Sequence, residues 1–222
     1  MKIKLNVPTD LSEIKLHQYQ TYMKMVESSN DEMFIAQKTI QIFCGVDLKD
    51  VATISFKDVE DLMVHFKKLF EAKPKLKTII NFKGVEYGFI PNLEDISLGE
   101  LIDSDNIGKV EDIHKAMGVF YRPIKVKSKG KYILEDYEAN IETMEQMKDL
   151  PLDIVFGAML FFWTLSNDLI KAIPNYLEEE ATSLVENTNL ENDGDGIIQS
   201  INSLKEMLPS LMKSLDSQLH NV

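Results

Sequence analysis

The chain has 222 residues and a formal net charge of −12 at pH 7; 44% of its residues are hydrophobic and 27% are charged. This composition is that of an ordinary globular protein, and it excludes wholesale disorder and a collagen-like repeat. Cys44 is the single cysteine, which excludes an intramolecular disulfide and a cysteine-based zinc cage. The opening residues MKIKLNVPTD hold no apolar stretch of signal-peptide type, so we expect a protein of a reducing cytosol.

The acidic charge is concentrated in the C-terminal part of the chain. Residues 1–134 carry 20 Lys and Arg against 19 Asp and Glu, whereas residues 135–222 carry 4 against 17. Phosphates would be repelled by such a segment, so we expect no nucleic acid among the partners. The acidic excess favours either a solvated face or a surface for a basic partner.

The N-terminal third predicts one strand and three helices. Apolar residues alternate with polar ones over 2–7, which is typical of a half-buried strand. Apolar residues then recur at helical spacing, and Gly45 is a natural stop for the second helix. The predicted helices cover 16–26, a segment from a cap at Asn30 or Asp31 to Cys44, and a segment from a cap at Asp58 to just before Pro74.

The middle of the chain predicts a hairpin, two helices and a polar strand. Residues 78–82 and 85–89 are rich in β-formers and flank Lys83-Gly84, a two-residue turn. Helices are expected around 97–103 and 110–121, the second ended by Arg122-Pro123. Within the strand-like stretch 124–137, turning near 128–130, the alternating residues Lys125, Lys127, Lys129 and Lys131 leave two interpretations. They form a phosphate-binding strand or an edge strand that lysines protect from aggregation, and their small number favours the edge strand.

Residues 151–173 are the most apolar segment of the chain. They hold 14 consecutive uncharged residues between Asp153 and Asp168. A transmembrane helix needs roughly 20, so we expect a buried helix in the core or at a subunit interface, and no membrane partner. Phe161, Phe162 and Trp163 are adjacent, and successive helical side chains point about 100° apart, so at least one should face outward. We therefore predict a partner surface at these three residues.

The end of the chain predicts a separable tail. Residues 186–196 read ENTNLENDGDG, a linker by composition. Residues 197–222 carry a narrow leucine stripe that Pro209 interrupts, and we predict that it contacts a partner or a second copy of the chain. The stripe includes Leu204, Leu208, Leu211 and Leu215. The predicted organisation is a globular domain over 1–185, an acidic Gly/Asn linker over 186–196 and a helical tail over 197–222.

Motifs for catalysis and metal binding are weak or absent in the sequence. The string from Glu191 to Asn202 places oxygen ligands at positions 1, 3 and 5 of a calcium loop, but it lacks aspartate at position 1 and a carboxylate at position 12. The four histidines have no zinc spacing, and no GxSxG, GxxxxGK[ST] or GxGxxG string occurs. We therefore expect a protein that is not an enzyme and binds no cofactor or metal.

Three strings carry a family resemblance that spans about 1–170. They are GVEYGFIPNLEDISLGELID (84–103), IHKAMGVFYRPI (113–124) and MKDLPLDIVFGAMLFFWTLSNDL (147–169). They resemble small morphogenesis proteins of crAss-like and related tailed bacteriophages. The LPxDxxxGxxxFFxxLxxxL pattern is similar to that of tail assembly chaperones, which escort the tape-measure protein.

The resemblance implies a non-enzymatic role in virion assembly. Its implied partners are other phage structural or assembly proteins, with self-association as a further option. The implied location is the host cytoplasm during assembly. The acidic C-terminal part leaves open an alternative, a structural or cargo protein that stays in the virion.

The fold class predicted from these elements is α+β. We expect a predominantly helical protein whose helices pack on a small antiparallel sheet. The strands are expected near 2–7, 78–82, 85–89 and 125–135.

Overall fold

The computed structural model of the chain describes residues 4–91, 97–104, 109–165 and 168. The chain divides into two compact units, Met1–Leu160 and Phe161–Val222. Helices and a four-stranded antiparallel sheet give the first unit the predicted α+β class. Residues 161–165 and 168 of the second unit are helical. The predicted domain boundary at 185, the linker 186–196 and the tail 197–222 lie outside the described residues.

Along the described residues, four helices are followed by a β-hairpin, two further helices, a second β-hairpin and two final helices. The helices are α1 (Leu16–Ser28), α2 (Glu32–Cys44), α3 (Leu48–Val51), α4 (Phe56–Phe70), α5 (Leu98–Ser104), α6 (Ile113–Phe120), α7 (Ile141–Gln146) and α8 (152–165). The strands are β1 (Ile79–Phe82), β2 (Val85–Phe89), β3 (Tyr121–Ser128) and β4 (Lys131–Leu134). Short 3₁₀ turns occupy Leu11–Glu13, Val110–Asp112 and Met147–Asp149.

Two of the predicted helix boundaries are set by caps in the expected places. The Asp31 side chain accepts hydrogen bonds from the backbone N–H groups of Met33 and Phe34 at the start of α2. Gly45 ends the same helix with φ 67°, a left-handed conformation that glycine adopts without steric cost. The predicted start of α4 at Asp58 is wrong by three residues, because the Ser55 side chain accepts from the Asp58 N–H and begins the helix earlier.

The predicted strand over 2–7 is not part of the sheet in its described residues, 4–7, which form no strand. Pro8 follows directly, and its carbonyl oxygen lies 2.7 Å from Nε2 of His65 in α4. This contact joins the N-terminal segment to α4 and not to the sheet. The alternating pattern predicts which side chains share a face, but it does not provide a partner strand.

The sheet is a meander of strand order β1-β2-β3-β4, so its two hairpins lie side by side. Lys83 and Gly84 have φ 51° and 82°, as the predicted two-residue turn requires, and Lys129 and Gly130 have φ 50° and 79°. The turn predicted near 128–130 is confirmed at Lys129-Gly130, so the strand-like stretch near 125–135 forms two strands, β3 and β4. The strand β3 also begins earlier than predicted, at Tyr121, because the chain passes directly from α6 into β3.

One face of the sheet forms part of the core. Ile80 pairs with Tyr87 and Phe82 with Val85 in register, and Phe89 pairs with Tyr121. Of these residues all but Val85 are buried. The side chains of α6 from Ala116 to Phe120 are buried as well, which explains why this eight-residue helix is almost wholly apolar. No helix among the described residues is long and apolar enough to cross a membrane.

Candidate protein-binding surface

The LPxDxxxG pattern that carries the family resemblance is a packing motif in this structure. The Leu16 N–H donates to the Leu150 carbonyl at 2.9 Å, and the Leu152 N–H donates to the Ile14 carbonyl at 2.8 Å. Leu150 and Leu152 are fully buried on either side of Pro151, which pairs with Lys15 as an isolated bridge. The motif therefore fastens the start of α8 to the start of α1.

The charged and glycine positions of the motif also have structural roles. The buried Asp153 carboxylate pairs with the ammonium group of Lys77, just before β1. Gly157 lies against the backbone of Lys75, where a methyl group added at residue 157 would come within 2.7 Å of the carbonyl oxygen. These contacts explain the motif without assigning it any partner or substrate.

The short helix α5 exposes two apolar residues, Leu98 and Ile102, and buries a charged one, Glu100. Leu98 is 73% exposed and Ile102 is 62% exposed, while Glu100 is only 5% exposed. Residues four apart share a helix face, and a residue halfway between them lies on the opposite face. The exposure of Leu98, Glu100 and Ile102 is therefore the reverse of that expected for such residues in a helix on the surface of a globular protein.

Glu100 is held on the inner side of α5 by two sets of contacts. One carboxylate oxygen accepts from the Ser97 N–H at 2.8 Å, while the Glu100 N–H donates to the Ser97 hydroxyl at 3.3 Å, which is a capping box. The other oxygen lies 3.0 Å from a guanidinium nitrogen of Arg122 in β3. The capping box holds the start of the helix, and the ion pair turns Glu100 toward β3.

A second polar contact holds the other end of α5. The Tyr137 hydroxyl donates to the Asp103 carboxylate, one turn after Glu100. Burial, together with that hydrogen bond, raises the pKa of Tyr137 well above its ordinary value, so the phenol stays protonated and donates. Leu98 and Ile102 are thus presented by a helix that Glu100 and Asp103 hold through polar contacts. We call Leu98 and Ile102 the α5 apolar face.

A cavity of about 460 Å³ lies among α6, β3, the segment after β4 and α7. Its lining mixes the cations of Arg122 and Lys125 with three carboxylates, so it favours no single charge class of small ligand. The residues that line it are Gly118, Tyr121, Arg122, Pro123, Lys125, Glu135, Asp136, Tyr137, Glu138, Asn140 and Thr143.

The structure places the predicted partner residues as follows. Phe161, Phe162 and Trp163 are helical and half-buried, and the rings of the two phenylalanines contact each other edge to face at 5.3 Å. Their role as a partner surface stays a prediction. Leu204, Leu208, Leu211 and Leu215, with the calcium-like string from Glu191, lie outside the described residues.

The described part of the chain holds one cysteine, Cys44, and its potential metal ligands do not cluster. Cys44 is buried, and this burial raises the pKa of its thiol to about 11, so the reactive thiolate is disfavoured at neutral pH. Within residues 4–91, 97–104, 109–165 and 168, no three His, Cys, Asp or Glu side chains converge as a metal site would require.

Sequence reasoning does not identify the α5 apolar face. Leu98 and Ile102 sit at helical spacing, which by itself indicates a buried face. The signal for the opposite orientation is long-range, since Arg122 lies in a strand more than 20 residues further along the chain.

Comparison with curated proteins finds a relative described as an uncharacterized protein from Borreliella burgdorferi strain B31, 26% identical over 229 residues. The match covers 96% of this chain and 39% of the Borreliella protein, so the chain spans well under half of that relative's length. No family model matches the chain. No solved structure matches it either.

Proposed function

We propose that this chain is a non-enzymatic morphogenesis protein of a tailed bacteriophage, a tail assembly chaperone that binds other tail proteins in the host cytoplasm. The observation that carries the binding role is the α5 apolar face, which is exposed while Glu100 is buried beneath it and paired with Arg122. The resemblance of strings 84–103, 113–124 and 147–169 to such chaperones supports the biological setting.

The energetics of α5 favour a protein partner. Burying a Leu or Ile side chain contributes about 1.5–3 kcal/mol, so the two exposed residues offer a gain that only an apolar partner surface can supply. The capping box and the ion pair already order the helix. Binding therefore does not have to supply the entropy cost of forming it.

The test is co-expression with the tape-measure protein that such chaperones escort. The chain should raise the fraction of the tape-measure protein that stays in the supernatant after centrifugation, and the two should co-purify. An unchanged soluble fraction, with no co-purification, would contradict the chaperone role.

The second candidate is a structural or cargo protein retained in the virion, favoured by the excess of 17 acidic over 4 basic residues in 135–222. Mass spectrometry of purified virions separates the two functions. A chaperone is absent from the particle, or present far below one copy per tail, whereas a structural protein is present in stoichiometric amounts.

A further inference from the structure

A second surface, distinct from α5, lies at the end of the sheet where both hairpins turn. It contains three exposed β-branched residues, namely Val85 in β2, Val126 in β3 and Ile133 in β4. Their exposed fractions are 45%, 52% and 62%. β2 begins directly after the first turn, and the second turn joins β3 to β4, so the three residues lie on adjacent strands near the same end.

The strand register places all three on the core side of the sheet. Val85 pairs with the buried Phe82, which faces the core. On the opposite side, the side chains of Tyr132 and Leu134 cover Gly88. Ile133 alternates with these two residues and therefore points to the core side.

Val126 pairs with Ile133 and shares its side. The core face of the sheet thus continues beyond the buried residues as an exposed apolar row. We call Val85, Val126 and Ile133 the tip row.

The tip row is bordered by lysines, three of which have no acidic partner among the described residues. Lys83 pairs with Asp149, and Lys127 pairs with Glu86 at 2.7 Å. In contrast, Lys125, Lys129 and Lys131 form no ion pair with the described part of the chain. In a chain of net charge −12, Lys129 and Lys131 at the second turn form a small patch of positive charge that no described carboxylate pairs with.

No described strand pairs with the backbone on the outer edge of β4, beside the tip row. β4 is the last strand of the described sheet, and its only strand partner there is β3. An edge strand presents unpaired N–H and C=O groups, and an extended peptide can pair with them as an added strand. Side chains of such a strand would alternate between the tip row and the opposite side of the sheet.

We propose that this surface binds an acidic, extended segment of a partner protein, which adds to β4 as a fifth strand. Apolar residues of the segment cover the tip row, and carboxylates at the end of the segment nearest the hairpin turn pair with Lys129 and Lys131. The flat β-branched row and the strongly negative net charge favour a protein segment over a nucleic acid or an anionic membrane. This inference is independent of the chaperone proposal and of the α5 apolar face.

The probe for the test is a fluorescein-labelled peptide of about twelve residues in which glutamate alternates with valine, long enough to span an edge strand. Anisotropy titration of the full chain should give saturable binding that weakens at least tenfold as NaCl is raised from low to high concentration. Ile133→Glu should weaken binding at least tenfold, and so should Lys129→Gln combined with Lys131→Gln. Val64→Glu is the matched control, because Val64 is a similarly exposed valine on α4, and it should leave binding unchanged.

Two further probes test the mode of binding. The same peptide with alternate backbone nitrogens methylated cannot pair with an edge strand, so it should not bind. A lysine–valine peptide should not bind either. The proposal is overturned if the glutamate–valine peptide fails to bind, or if it binds the Ile133→Glu variant equally well.

Other occupants of the surface are distinguished by their own measurements. Co-sedimentation tests binding to vesicles that contain phosphatidylserine, and anisotropy tests binding to a DNA duplex. Light scattering tests self-association of the chain. The proposal is overturned if one of these binds through Ile133 or the lysines while the acidic peptide does not.

Discussion

Gly157 in α8 lies against the backbone of Lys75 so closely that a Cβ atom on it would sit 2.7 Å from the Lys75 carbonyl oxygen. Real Cβ atoms do not approach a backbone oxygen at this distance, so α8 can reach the segment before β1 only because residue 157 has no side chain. The neighbouring pair of Asp153 and Lys77 joins the same two segments. The LPxDxxxG motif therefore packs α8 against the segment before β1, within the first unit.

We predict that Gly157→Ala lowers the free energy of unfolding by about 1–3 kcal/mol, as overpacking does in other cores. The better helix propensity of alanine, worth up to about 1 kcal/mol, offsets only part of this. The measurement is urea denaturation followed by circular dichroism.

Gly118→Ala is the matched control for that substitution. Its added methyl group would meet the Met144 Cγ atom at 3.2 Å, and this flexible side chain can move aside. The control should cost clearly less stability. An equal loss in both variants would contradict the close approach at Lys75.

The buried ion pair beneath α5 gives a second prediction. Arg122→Met leaves the Glu100 carboxylate buried without its cation, and breaking a buried pair in this way costs about 3–5 kcal/mol. The double variant Glu100→Gln with Arg122→Met removes both charges while keeping an oxygen for the Ser97 cap. In urea denaturation, this double variant should recover most of the free energy of unfolding that Arg122→Met loses. A double variant no more stable than Arg122→Met would show that the pair does not hold the helix.

His114 makes the stability of the first unit depend on pH. The ring is buried, with Nδ1 3.3 Å from Nε2 of Gln20 and Nε2 3.3 Å from the carboxylate of Glu145. Burial lowers the pKa of His114, the nearby Lys148 and Lys115 lower it further, and Glu145 opposes the shift.

The sign of the effect follows from linkage. The folded-state pKa lies below the unfolded value of about 6.5, so the unfolded chain takes up the proton first as the pH falls. Stability should therefore be level above about pH 7 and decline as the pH falls below about 6.5. The melting temperature between about pH 7.5 and 5 measures this, and His114→Gln should reduce the slope. An unchanged slope in that variant would contradict the assignment.

Ionisation of the carboxylates affects the stability of the protein in a separate, lower pH range. Hydrogen bonds from Lys115 and Lys83 hold the pKa values of Asp112 and Asp149, respectively, below their usual range. Their contribution to stability is present above about pH 4 and is lost as the pH falls further. The range from about pH 7.5 to 5 therefore isolates the histidine.

Local signals in the sequence predict much of this fold. Asp31 and Gly45 bound α2 because capping is a short-range interaction, and Lys83-Gly84 forms a two-residue turn because glycine tolerates positive φ. Residues 4–7 show the limit of such reasoning, because alternation describes a strand's faces but does not provide a neighbouring strand. The turn predicted near 128–130 forms at Lys129-Gly130 for the same reason as the first turn, because glycine tolerates positive φ.

The candidate site cannot be predicted in the same way. The orientation of α5 depends on Arg122 and Tyr137, both distant in sequence from Glu100 and Asp103. Helical spacing of Leu98 and Ile102 alone points to a buried face, the opposite of what is found. The aromatic residues 161–163, which the sequence does single out, are half-buried and await a binding measurement.

The central claim is that the α5 apolar face binds a tail protein. The most direct measurement compares the fraction of the tape-measure protein kept soluble by the native chain, by Leu98→Glu with Ile102→Glu, and by the control Met33→Glu with Val64→Glu. Both pairs replace exposed apolar residues, so all three chains should melt at similar temperatures. The account predicts that the α5 variant loses most of the solubilising effect while the control keeps it; full activity of the α5 variant would contradict it.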